Sequence, residues 1–163
     1  MTLDALNRLE PSLTDAELRR CCGSSRWAAA MTAARPFTSL DAMRRRGDEI
    51  WASLGASDWL EAFVAHPTIG EQGLVSAWSS AEQSGMQSAG DEAKARLAAL
   101  NAEYEARFGY IFIVCATGKS PSEMQALLKW RMTNDAEREL PIAAGEQRKI
   151  TGLRLARLVD ADE

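Results

Sequence analysis

The 163-residue chain holds a single histidine, His66, and only three cysteines. One imidazole, with no CxxC, HxxxH or HExxH spacing anywhere, excludes the usual zinc sites, which need clustered nitrogen and sulfur ligands. The cysteines are odd in number, and two of them, Cys21 and Cys22, are adjacent. Neighbouring cysteines bridge each other only with backbone strain, so no disulfide framework is expected and a reducing compartment, the cytoplasm, is. No apolar run approaches the ~20 residues of a transmembrane span. The opening MTLDALNRLEPSL carries acidic residues and no basic stretch leading into an apolar one, so it does not read as a signal peptide. Positive charge is also short: 19 Lys and Arg against 23 Asp and Glu leave a net charge of −4. That argues against a nucleic-acid partner, which is normally held through a basic face. Repeats and low-complexity tracts are absent.

What is present is ordinary globular material, 46% hydrophobic and 26% charged. A chain of this length buries roughly 70% of its unfolded surface and needs no staple. One domain, spanning residues 1–163, is expected. Helical periodicity dominates. From Asp91 to Phe108 the apolar residues Ala93, Leu97, Leu100, Tyr104 and Phe108 advance by three or four and form one stripe, and Gly109 supplies a stop. Ser120-Pro121-Ser122-Glu123 has the form of a helix start, with Met124, Leu127, Leu128 and Met132 as its buried face. Thr14-Asp15, Ser39 and Ser57-Asp58 mark further starts. A last helix is expected from about Asp135 to Val159, with Ile150, Leu153 and Leu158 inward and a kink or break near Leu140 imposed by Pro141. Only Tyr110 to Cys115, YIFIVC, has strand-like composition. A lone strand has no sheet to join, so it reads as a buried extended segment whose backbone groups need other partners, a ligand among them. The expected class is all-α, a bundle of seven or eight helices.

Four places carry residues that chemistry can use. His66 precedes Pro67, which disfavours helix at the residue before it, so His66 ends a helix. It serves there either as a C-terminal cap or as a proton-transfer group. Glu82, after Ser79 and Ser80, is either a solvated first-turn acid or a carboxylate paired with His66. Arg154, between Leu153 and Leu155, must find an anion because it does not lose its proton; that anion is an internal carboxylate or a substrate group. Gly118-Lys119-Ser120 imitates a phosphate loop, but the glycine which that motif requires falls at Ile113, and no parallel sheet hosts it.

AHPTIG (65–70), WSSAEQSGM (78–86), YEARFGYIFIVCATGKSPSEM (104–124), ND followed by EL (134–140) and AAGEQRKITGLRLARL (143–158) occur in this order. Together they resemble the 2-oxo-4-hydroxy-4-carboxy-5-ureidoimidazoline (OHCU) decarboxylase family of urate breakdown, over essentially the whole chain. The resemblance implies an all-helical fold, a homodimer, and a carboxy-lyase that needs neither metal nor cofactor. It implies conversion of a small-molecule ureidoimidazoline, OHCU, to (S)-allantoin and carbon dioxide. It also implies that His66, Glu82 and Arg154 are catalytic, and that Pro67, Ser79, Glu82 and Gln83 line the substrate together with Phe112, Ile113, Val114, Cys115 and Ala116. Two other classes stay open on the residues: a non-catalytic helical interaction domain, and a hydrolase of a related ureide in which a His/Glu pair activates water.

Overall fold

Short polar residues start four of the described helices, where they take up amide groups that the backbone leaves unpaired. The computed structural model describes residues 1–66 and 91–160. Among them are eight helices: α1 Leu3–Arg8, α2 Pro11–Cys21, α3 Ser25–Ala33, α4 Leu40–Ser53, α5 Ala56–Val64, α6 Asp91–Phe108, α7 Pro121–Arg131 and α8 Ala136–Val159. The class is all-α, as the periodicity predicts. Thr2, Ser24, Ser39 and Ser120 each accept a hydrogen bond from the backbone N–H three residues on, at 3.0–3.2 Å. Among the described residues no helix is long and apolar enough to cross a membrane.

The described chain divides into two compact units, Met1–Ala62 with Gln147–Glu163, and Phe63–Glu146, so the division falls inside α5 and α8. In the first unit α2 packs on α3 and α3 on α4. Trp27 is fully buried, and its indole N–H donates to the Gly47 carbonyl at 3.1 Å. Trp27, Met31 and Leu155 crowd to within 3.4–3.7 Å of the place a β-carbon on Gly47 would take. Arg35 closes the end of α1: its Nη1 donates to the carbonyls of Leu6 (2.9 Å) and Leu9 (2.7 Å) and to Thr14 Oγ1 (2.8 Å). Thr14 therefore does not start α2. Pro11 occupies the first turn instead, and Thr14 lies buried in the helix, its hydroxyl donating to the Glu10 carbonyl at 3.0 Å. The α5 start also lies slightly earlier than Ser57: Asp58 sits in the first turn and accepts from Gly55 N–H at 3.3 Å.

In the second unit α6 packs against α7. Leu97, Tyr104, Phe112, Val114, Ala116, Met124 and Leu128 form one apolar cluster. Gly109 ends α6 in the left-handed conformation, φ +85°, which a side chain would oppose, and its N–H reaches the Glu105 carbonyl at 2.8 Å. Residues 111–116 that follow are neither helix nor strand, and Phe112, Ile113, Val114 and Ala116 are buried.

The break expected at Pro141 does not occur. α8 is continuous through it. Proline removes one N–H from the ladder, but Pro141 and Glu137, whose carbonyl loses that donor, are both exposed residues, so the loss falls on the solvent side of the helix. Cys21 and Cys22 are free and buried. Burial pushes the Cys21 thiol from its ordinary 9.0 up to about 12 and the Cys22 thiol up to about 11, with the charge of Arg154 opposing the rise in both.

Two outcomes follow from these features. Pro141→Ala restores an N–H in a helix interior and is expected to raise the melting temperature, by up to about 3 kcal/mol of stability. A lower melting temperature would mean that the proline holds a bend the fold needs. Above pH 9 the unfolded chain releases thiol protons that the folded chain keeps. Stability is thus intact below pH 9 and declines as pH rises toward 11–12. Melting curves between pH 8 and pH 11 check this; replacing both cysteines by alanine must flatten the decline, and an unchanged slope would assign it elsewhere.

Candidate active site

The turn that carries His66 begins one residue after α5. The last apolar anchor of that helix, Phe63, is fully buried. The His66 N–H donates to the Phe63 carbonyl at 3.1 Å, which bends the chain at the point where Pro67 disfavours helix. The helix ends at Val64, two residues earlier than Pro67 alone demands. The Phe63 ring lies against Tyr110, centroids 5.3 Å apart. Tyr110 in turn meets Tyr104 and Phe108, at 5.9 and 6.2 Å. Aromatic packing thus ties the half-buried His66 turn to the entrance of the extended segment within one compact unit.

The extended segment is held by side chains in place of a sheet. Phe112 N–H donates to Asn101 Oδ1 at 3.1 Å, and Cys115 N–H to Glu146 Oε1 at 3.4 Å. The Ile113 carbonyl accepts from Arg131 Nη1 at 2.5 Å, and the Cys115 carbonyl from Lys119 Nζ at 2.7 Å. Arg131 also donates through Nε to Glu139 Oε1 at 2.6 Å, in an ion pair whose side chains are 3% and 0% exposed. The same carboxylate accepts from Tyr104 Oη (3.0 Å) and from Asn134 Nδ2 (3.1 Å). Burial pushes the Tyr104 phenol well above its ordinary value; the Arg131 charge works against that rise and the Glu139 charge adds to it. Tyr104 is therefore a hydrogen-bond donor at any ordinary pH.

Of the residues singled out in the sequence, His66 and Phe112, Ile113, Val114, Cys115 and Ala116 fall in the same unit. Arg154 belongs to the other unit, half-buried on α8, close enough to Cys21 and Cys22 for its charge to oppose the burial of both thiols. Pro67, Ser79, Glu82 and Gln83 lie outside the described residues. Among the described residues no three of His, Cys, Asp or Glu gather in a way that would hold a metal ion.

Sequence reasoning missed Asn101, Arg131 and Glu139. Asn101 had a readable signal: it lies four residues after Leu97 and three before Tyr104, inside the buried stripe of α6, where a polar side chain must have a partner. Arg131 and Glu139, eight residues apart and on different helices, had none.

The OHCU decarboxylase family model matches residues 7–156. The chain is 40% identical to the uric acid degradation bifunctional protein TTL of Arabidopsis thaliana across 87% of its own length, and spans 46% of that protein. It is 33% identical to the 2-oxo-4-hydroxy-4-carboxy-5-ureidoimidazoline decarboxylase of Mus musculus, covering 82% of this chain and 79% of that one. A crystal structure of an OHCU decarboxylase in the presence of (S)-allantoin superposes with a TM-score of 0.79 at 40% identity, over 88% of this chain and 97% of the other. An (S)-allantoin synthase shares the fold, TM-score 0.72 at 20% identity, over 98% of this chain and 55% of the other. With the family match spanning nearly all of the chain, the protein belongs to the OHCU decarboxylase family.

Proposed function

We propose that this chain decarboxylates OHCU to (S)-allantoin and carbon dioxide in urate breakdown, as a single cytoplasmic domain that uses neither metal nor cofactor. The observation that carries the reading is the family match over residues 7–156, a span that contains His66, Glu82, Arg154 and the extended segment. The pairing of this chain with a second copy as a homodimer is part of the same proposal and is read by light scattering.

The chemistry suits so small a set of groups. Loss of carbon dioxide leaves an electron pair on the carboxylated carbon, and many enzymes recruit an organic cofactor or a metal to accept it. OHCU has an unsaturated carbon–nitrogen bond beside that carbon, and the pair moves into it to give an enol-like intermediate. The ring nitrogen takes up a proton as the pair arrives; delivery of a second proton to one face of the neighbouring carbon, and loss of the hydroxyl proton, completes allantoin. The protein therefore needs to orient the carboxylate out of the ring plane and to manage protons.

In this reading His66 is the acid–base group, Glu82 holds its imidazole and handles the hydroxyl proton, and Arg154 clamps a carbonyl or ureido oxygen. Pro67, Ser79, Gln83 and the run Phe112 to Ala116 line the substrate. The tie between the His66 turn and Tyr110 supports the placement of His66 beside the extended segment.

OHCU generated in place from urate separates the readings. Circular dichroism follows (S)-allantoin, and the uncatalysed reaction gives a racemate. The active protein should produce the (S) enantiomer with carbon dioxide; a ureide hydrolase would release none. His66→Ala should lower kcat by about 100-fold or more, the scale of a lost acid–base group. A His66→Ala protein that stays fast and (S)-selective removes His66 from the mechanism. Arg154→Ala should lose about 2 to 4 kcal/mol in kcat/KM, since a clamp on a polar substrate group is charge-assisted and partly desolvated. Arg154→Lys should recover only part of this, because a point charge cannot copy a planar two-pronged contact. Near-normal kcat/KM in both variants, with a lower melting temperature for Arg154→Ala, would make Arg154 a structural partner only.

A further inference from the structure

We propose that Asn101 and Arg131 are positioning residues for the decarboxylation: from two different helices they clamp the backbone of the extended segment and set which of its peptide groups face the substrate. The proposal rests on the reading above, that Phe112 to Ala116 contacts the substrate.

A segment outside any helix or sheet has no ladder to hold it, so its course depends on side chains. Asn101, on α6 and 1% exposed, takes the Phe112 N–H at 3.1 Å. Arg131, at the end of α7 and 3% exposed, donates to the Ile113 carbonyl at 2.5 Å and lies 4.5 Å from the centre of the Phe112 ring. Its guanidinium is itself fixed by Glu139 Oε1 at 2.6 Å, and Glu139 by Tyr104 and Asn134. With Cys115 held at both peptide groups by Glu146 and Lys119, Val114 is left in the middle of the grip. Among the described residues neither the N–H nor the carbonyl of Val114 has a hydrogen-bond partner.

The arrangement is costly for one that only fills space. A buried ion pair is often no better for stability than apolar residues of the same volume. Among the described residues, Asn101 Nδ2 and Arg131 Nη2 are, in addition, buried donors without a partner. Two polar side chains kept dry at this cost, both bonded to consecutive residues of one loop, fit a demand for exact backbone placement.

Two sets of variants test the clamp, with KM and kcat for OHCU, melting temperature and amide hydrogen exchange as readouts. Arg131→Met with Glu139→Leu replaces the ion pair by apolar groups and removes the Ile113 tether without stranding a charge. Asn101→Leu removes the Phe112 tether, whereas Asn101→Asp keeps an oxygen for it. The double variant and Asn101→Leu should each lose about 10- to 100-fold in kcat/KM, the scale of a reacting group misplaced by about an ångström, with most of the loss in KM. Exchange at the Phe112 amide should quicken in Asn101→Leu, and Asn101→Asp should restore both protection and KM. Folded variants that keep wild-type KM and kcat, beside an active wild type, overturn the clamp and leave the function standing. Should the double variant fail to fold, equal KM in Asn101→Leu and Asn101→Asp overturns it as well. A wild type that leaves OHCU to its racemic decay overturns the functional reading beneath the proposal, and the proposal with it.

Discussion

The ion pair between Arg131 and Glu139 holds the second compact unit in register. Both side chains are out of water, 3% and 0% exposed, at a separation of 2.6 Å. Removing one partner of such a pair strands the other charge, at a cost of about 3 to 5 kcal/mol. The pair joins the end of α7 to the first turns of α8, and through the second nitrogen of the guanidinium it holds the Ile113 carbonyl. Tyr104 brings α6 to the same carboxylate. Three helices and the extended segment therefore meet at one carboxylate and one guanidinium.

That junction explains how a strand-like sequence lives in a helical protein. YIFIVC carries the β-branched and aromatic residues of a strand, yet no strand exists among the described residues to pair with it. The side chains of Phe112 and Val114 go into the cluster with Leu97, Tyr104, Met124 and Leu128, and Tyr110 packs against it. Four of the segment's peptide groups, on Phe112, Ile113 and Cys115, go to Asn101, Arg131, Glu146 and Lys119. Burial supplies the driving force and the polar side chains supply the direction, since hydrophobic contact alone is non-directional.

The His66 turn is governed by a similar division. Pro67 ends the helix and the Phe63 carbonyl shapes the turn, both local effects. What the turn faces depends on Phe63 against Tyr110, a contact between residues 47 positions apart in the chain. Arg154 shows the complementary case. Its neighbours Leu153 and Leu155 put it on a turn with one side buried, and the residue is half-buried, but its closeness to Cys21 and Cys22 comes from the packing of the first unit.

The sequence alone determined whatever depends on neighbours along the chain. The stripe from Leu97 to Phe108, the stop at Gly109, the serine caps at Ser39 and Ser120 and the end of α5 near His66 were all legible, because helix periodicity and capping act over three or four residues. The motif order also marked the family and named His66, Glu82 and Arg154 as its candidates. Local rules failed where a longer-range effect overruled them. Pro141 sits in an unbroken helix, where it and Glu137 are both exposed, and Thr14 is interior to a helix that Pro11 starts, its hydroxyl accepting from Arg35, 21 residues on. Only the tertiary structure decided that Asn101, Arg131 and Glu139 hold the extended segment. Whether a buried amide, guanidinium or carboxylate finds a partner depends on which helices are brought together, and no spacing along the chain encodes that.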